Sequence, residues 1–165
     1  MDNFEIERKF LIRYPGREVI ESSVRTEIVQ TYLRPEDGAG TERVRKRGRD
    51  GKYVFTHTVK KRLSAVRRIE LEEEISAEEY EELLKRADSG RNVIYKSRLC
   101  YNYRGQMFEI DLYPFWPDRA VMELELENEE QKILFPPEIE IIKEISSDRR
   151  YTNAAIALKI PEDEI

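Results

Sequence analysis

The chain has 165 residues, 39% of them hydrophobic, 10% aromatic and 38% charged. That length supports one domain, spanning 1–165, with a proper core, and the charged fraction is well above the usual ~25%. The formal net charge is only −5, so the balance of sign points neither to a nucleic-acid partner nor to an anionic membrane. A single cysteine, Cys100, excludes an internal disulfide and a four-cysteine zinc site. The opening Met1-Asp2-Asn3-Phe4-Glu5 has no secretory pattern, and no stretch approaches the ~20 apolar residues of a membrane helix. The expectation is a cytoplasmic, reducing compartment.

In chain order, the dominant signal is period-two alternation, which marks strands. Glu5 to Leu11 alternates first. Arg17 to Ser23 reads as a short helix, and Gln30 to Leu33 as a strand. Glu42 to Arg47 alternates, Asp50-Gly51 fits a type I′ hairpin turn, and Tyr53 to Lys60 returns. Arg68 to Glu72 alternates again. Ser76-Ala77-Glu78-Glu79 is a capping box. Tyr80, Leu83, Leu84 and Ala87 then form an apolar helical stripe, with Gly90 as a stop signal. Val93 to Tyr103 and Met107 to Tyr113 form a second hairpin around Arg104-Gly105, and Val121 to Glu127 alternates almost without a break. Asn128 to Gln131 resembles a cap opening a short helix that ends by Pro136-Pro137. Ile139 to Ile145 reads as a strand, and Thr152 to Lys159 as a terminal helix before Pro161. Many strands and few helices predict an α+β fold dominated by one antiparallel sheet.

Residues two apart in a strand share a face. One face then collects Glu5, Glu7 and Lys9; Arg43, Arg45 and Arg47; Lys60; Arg68, Glu70 and Glu72; Lys96 and Arg98; Glu109 and Asp111; Glu123, Glu125 and Glu127. The other face is mostly apolar. Alternation alone fits an ordinary sheet whose charged face is wet. Two features favour a charged face turned inward. Acids cluster on some strands and bases on others, and three carboxylates on one strand face repel unless a cation lies between them. There are also enough strands to close a sheet around a small ligand. Carboxylates suit Mg²⁺ or Mn²⁺, and Arg and Lys suit phosphate, so the pattern points to a phosphate-bearing ligand held with metal.

Glu5-Ile6-Glu7-Arg8-Lys9 resembles the Glu-x-Glu-x-Lys signature of the CYTH superfamily, the triphosphate tunnel metalloenzymes. Arg43-Val44-Arg45, Thr58-Val59-Lys60, Arg68 to Glu72, Lys96-Ser97-Arg98, Phe108 to Tyr113, Glu125-Leu126-Glu127 and Asp148 to Asn153 resemble the family's later motifs in order, across residues 4–158. The resemblance implies an eight-stranded antiparallel β-barrel, a tunnel with a charged interior and a few peripheral helices, which hydrolyses a small-molecule triphosphate with Mg²⁺ or Mn²⁺. It implies metal ligands at Glu5, Glu7, Glu125 and Glu127, with Glu70 or Glu72 serving a second ion. Lys9, Arg43, Arg45, Lys60, Lys96, Arg98 and Arg150 would grip phosphate, and Glu127 or Glu125 would orient the attacking water. Two alternatives stand beside hydrolysis: an adenylate cyclase of class IV type, and a binding module for polyphosphate or nucleotides. The His-Phe pair that such cyclases tend to carry upstream of the first motif is absent from residues 1–4, and Asn128 stands where the family often has an aromatic. Of the remaining residues, His57 reads as a strand residue on the face opposite Lys60, Cys100 as a packed thiol, and Trp116 as a loop anchor.

Overall fold

The computed structural model describes residues 6–35, 40–62 and 68–165. Nine strands are present: β1 (Ile6–Arg13), β2 (Val24–Leu33), β3 (Thr41–Arg49), β4 (Lys52–Arg62), β5 (Arg68–Ile75), β6 (Ile94–Tyr103), β7 (Gln106–Leu112), β8 (Arg119–Leu126) and β9 (Ile141–Glu144). Their hydrogen-bonded order is β5-β4-β3-β2-β6-β7-β8-β1-β9. Every segment read as a strand from its alternation is a strand. Among the described residues the nine strands match the nine segments read from the sequence, one more than the eight the family resemblance implies; β9 is four residues paired to β1 through a register shift at Leu11/Ile12. Asp50 and Gly51 both have positive φ, 53° and 78°, as do Arg104 and Gly105, 50° and 77°. Positive φ at both central residues defines the type I′ turn, whose twist matches the flanking strands.

The helices are short. α1 (Arg17–Ser22) precedes β2. α2 (Ala77–Leu83) starts where the capping box places it, with the Ser76 hydroxyl accepting from the Glu79 N–H at 3.1 Å. It tightens into a 3₁₀ turn, Leu84–Arg86, well before Gly90, because the chain must unwind for Ala87 to bridge Leu33. α3 (Asn153–Ile156) is capped by Thr152 and is shorter than the expected 152–159. The helix expected after Asn128 is not formed. Asn128 caps a single turn, its side-chain oxygen accepting from the Glu130 N–H at 3.0 Å. Pro136-Pro137 then bars a longer helix, and Ile133 packs on the core from extended chain.

The chain groups into two compact units. The first comprises Ile28–Ile94 and Thr152–Pro161. Its core is Leu33, Val44, Ile75 and Tyr80, with Phe55, Leu83 and Leu84 packed on it. Here α2 and the 3₁₀ turn cover the apolar face of β3 and β4. Glu42 is buried on that face and receives Arg86 Nη2 at 2.5 Å, with His57 Nε2 at 2.7 Å. Burial pushes the Glu42 carboxyl up, but the hydrogen bonds from Arg86 and His57 outweigh it and hold the group below its ordinary range. This contribution is present above the unfolded carboxyl's value, ~4.3, and is lost as pH falls through the lower folded value. Glu42→Gln is therefore expected to destabilise the protein by about 2 kcal/mol at pH 7. The gap between denaturant melts of the two proteins should begin to narrow as pH falls below ~4.3 and go on narrowing through the lower folded value; an equal gap at pH 3 and pH 7 would contradict this account.

Among the described residues, the second unit comprises 6–27, Tyr95–Tyr151 and Glu162–Ile165. It contains β1, β6, β7, β8 and β9, and the start of β2, which joins β6 through hydrogen bonds of Ser97 with Arg25 and Glu27. Its core lies on the apolar face: Phe10, Ile12, Leu99, Phe108, Ile110, Met122 and Leu124, covered by Val19 of α1 and by Ile133 and Ile139.

Candidate functional site

In the first unit, register fixes which side chains share the charged face. Arg43 faces Thr58, which faces Glu72; Arg45 faces Thr56; Thr41 faces Lys60, which faces Glu70. Lys60 Nζ lies 4.0 Å from Glu70, and Glu72 accepts from the Thr58 hydroxyl at 2.8 Å. Arg45 donates through Nε and Nη2 to the side-chain oxygen of Gln30, at 3.1 and 2.9 Å, and Gln30 in turn donates to the Tyr32 hydroxyl. Gln30 is fully buried. Two polar atoms on this face, Arg43 Nε and Thr56 Oγ1, are buried with no hydrogen-bond partner among the described residues.

In the second unit, Cys100, Glu109, Glu123 and Lys9 form one row across β6, β7, β8 and β1, and Glu125 faces Glu7 one step further. Alternation alone puts these side chains on one face of their strands; the row and its burial come from the register and the packing. Lys96, Arg98 and Asp111 are buried. Asp111 accepts from Lys96 Nζ at 2.8 Å and from Arg98 Nε and Nη2 at 2.8 and 3.0 Å. Arg98 Nη1 also meets Glu109 at 2.8 Å, and Lys9 Nζ meets Glu123 at 3.2 Å. Burial pushes the Asp111 carboxyl up, but Lys96 and Arg98 together hold it far below the usual carboxylate range. Glu123 behaves likewise: burial raises it, and Lys9 chiefly brings it down. Exposure grows along the face, and Glu7 and Glu125 are exposed.

Within the second unit, then, Lys9, Lys96 and Arg98 gather on a shared carboxylate network. Glu7 and Glu125 face each other at its exposed end. Glu127 lies one residue past β8, also exposed. Arg150 lies in the 3₁₀ turn Arg149–Tyr151 and donates to Asp148 and Asp163, all at 2.7–3.0 Å. Glu5 lies outside the described residues. Sequence reasoning assigns no role to Asp111, Glu123, Gln30 or Thr56. The parity of Asp111 and Glu123 puts them on the charged face, but their pairing to Lys96, Arg98 and Lys9 needs the cross-strand register. Nothing in the sequence separates a buried Gln30 from an exposed one.

The donor set bears on a metal. Among the described residues no three His, Cys, Asp or Glu side chains form a cage. Mg²⁺ seldom uses one; it is usually held by one or two carboxylates together with substrate phosphate oxygens and water. Glu7 and Glu125, cross-strand partners of pure oxygen-donor type, fit that mode.

These features define a class: an antiparallel β protein whose polar strand face carries acids and bases in register, with part of that face withdrawn from water. The chain is 32% identical over 160 residues to the inorganic triphosphatase of Nitrosomonas europaea, covering 95% of this chain and 99% of that one. The crystal structure of the inorganic triphosphatase NE1496 superposes with a TM-score of 0.64 at 29% identity, over 98% of this chain and 99% of the other. The PH1819 protein of Pyrococcus horikoshii OT3 shares the fold, with a TM-score of 0.51 at 22% identity over 76% and 80% of the two chains. No protein-family model matches the chain. The chain belongs to the CYTH superfamily of triphosphate tunnel metalloenzymes. No helix among the described residues is long and apolar enough to cross a membrane.

Proposed function

We propose that this protein, a single domain over 1–165, hydrolyses a small-molecule triphosphate with the help of Mg²⁺ or Mn²⁺, on the closed β-barrel tunnel of its family. The observation that carries the reading is a pair of buried polar atoms on the basic strand face, Arg43 Nε and Thr56 Oγ1, that have no hydrogen-bond partner among the described residues. A buried donor without a partner is costly, and a guanidinium and a hydroxyl on one strand face are donors that phosphate oxygens satisfy. The relatedness to inorganic triphosphatases supports the same reading.

The phosphate-binding bases are Lys9, Lys96 and Arg98, with Arg150, in the second unit, and Arg43, Arg45 and Lys60 in the first. Glu5, Glu7, Glu125 and Glu127 are the proposed metal ligands, with Glu70 or Glu72 serving a second ion. Held by these carboxylates, Mg²⁺ or Mn²⁺ would supply charge neutralisation at the phosphate oxygens. Glu127 or Glu125 accepts a hydrogen bond from the attacking water and aims it at phosphorus. Lys9 faces the same reaction from β1, released from Glu123 as phosphate takes that carboxylate's place. Phosphoryl transfer needs little more than such positioning and neutralisation.

The test is orthophosphate release from inorganic triphosphate, ATP and thiamine triphosphate, with Mg²⁺ and Mn²⁺ in turn. Metal-dependent release from at least one of them is expected. Cyclic AMP and pyrophosphate from ATP would replace the reading with a cyclase. Tight, metal-independent binding without turnover would replace it with a binding module.

A further inference from the structure

Asp111 carries a further role, which rests on the triphosphatase reading: we propose that it is a positioning residue, holding Lys96 charged inside the protein and fixing the direction in which Lys96 and Arg98 meet an anion. The Lys96 side chain is entirely withdrawn from water, and that of Asp111 almost so. An ammonium in such surroundings tends to give up its proton unless an opposite charge compensates. The groups facing Lys96 include Asp111 on β7 at 2.8 Å, Arg98 on its own strand, the Tyr113 ring at 5.9 Å, and Glu123 on β8, which is itself taken by Lys9. Asp111 both touches Lys96 and carries the opposite charge.

Arg98 needs no help to stay charged. It needs aim. Asp111 binds one edge of the guanidinium through Nε and Nη2, while Glu109 takes Nη1. The fork is thereby locked in one plane, which a bidentate partner on a rigid strand does better than a solvated one. Stability alone does not explain the arrangement. Buried ion pairs are often replaced by apolar residues of similar volume at no loss, and the opposite face of these strands already supplies a core. A carboxylate here also repels an incoming polyanion. That penalty is offset only if the two cations it orders bind the anion better for being ordered.

Two variants and two readouts test this. Asp111→Asn keeps the shape and removes the charge. The alkaline limb of its kcat/KM profile for inorganic triphosphate with Mg²⁺ should move down by about one pH unit or more, with kcat lowered about tenfold or more. Asp111→Glu keeps the charge and shifts the carboxylate by one methylene, so its alkaline limb should stay in place while kcat falls. Nitrogen-15 NMR of the Lys96 ammonium needs no turnover and should show its proton lost at lower pH in Asp111→Asn than in the parent protein. If the parent protein releases no orthophosphate, the triphosphatase reading fails and the NMR titration alone decides the role of Asp111. If Asp111→Asn does not fold, Asp111→Glu decides. Overturning results are an unmoved alkaline limb or Lys96 titration in Asp111→Asn, full kcat in Asp111→Glu, or a defect repaired simply by raising Mg²⁺.

Discussion

Glu7→Gln is expected to abolish metal-dependent triphosphate hydrolysis while leaving the fold intact. Removing even an outer partner of a metal ligand costs 10–100-fold, so loss of a ligand should lower kcat by at least on the order of 100-fold. Glu7 and Glu125 are cross-strand partners on β1 and β8, a pairing of like charges that a cation between them would relieve. Mg²⁺ at 100 times its dissociation constant should stabilise the parent by about 2.7 kcal/mol and the variant by much less. Phosphate release, with melting curves in chelator and in Mg²⁺, measures both effects. A variant that keeps both turnover and the Mg²⁺-induced rise in Tm would remove Glu7 from the metal site.

The charge gradient along the second unit gives this prediction its physical sense. Where the face is buried, acids are matched by bases: Asp111 with Lys96 and Arg98, Glu123 with Lys9, Glu109 with Arg98. Where the face is exposed, acid meets acid at Glu7 and Glu125. Repulsion is tolerable in water, where two charges 4 Å apart feel only about 1 kcal/mol, and a mobile cation can enter there. The internal pairs keep the buried part of the face neutral until an anion arrives to compete for the bases.

Much of this architecture is legible in the amino-acid sequence. Alternation locates the strands, because a strand with one apolar face must place its side chains by parity, and the two I′ turns are written in Asp50-Gly51 and Arg104-Gly105. Boundaries are less legible. β2 begins at Val24, six residues before its pattern becomes regular, since pairing with β6 through Arg25 and Glu27 extends it. Asn128 signals a cap in isolation, but a cap starts a helix only if an apolar stripe follows, and here two prolines do. On the site, parity groups acids and bases on one face, while the partner of each charge depends on register across strands. The carboxylate partners of Arg150 are likewise hidden from its motif. Its sequence neighbours match the family's closing segment, yet its guanidinium is held by Asp148 and by Asp163 from the far end of the chain. Only the three-dimensional path of residues 151–163 brings that second carboxylate within reach.

Arg43 and Arg45 make the sharpest comparison, because two arginines on one strand face are predicted to matter equally for activity and oppositely for stability. Arg45 is satisfied internally through Gln30. Arg45→Met leaves the buried Gln30 oxygen without those donors, and an orphaned buried acceptor costs about 1–3 kcal/mol. Arg43 is the reverse case, since its Nε is buried with no hydrogen-bond partner among the described residues. Arg43→Met removes a desolvated donor and fills the space with a flexible apolar chain, so the protein should gain about 1–3 kcal/mol. Both variants should lose on the order of 100-fold in kcat/KM for a triphosphate, the scale for removing one fixed donor to developing charge. Inorganic triphosphate should raise the Tm of the parent protein, and that rise should be lost in Arg43→Met. A more stable but inactive Arg43→Met is what a residue kept for its ligand predicts. If Arg43→Met instead lost as much stability as Arg45→Met and bound triphosphate normally, Arg43 would be a structural residue and the proposed function would lose the observation that carries it.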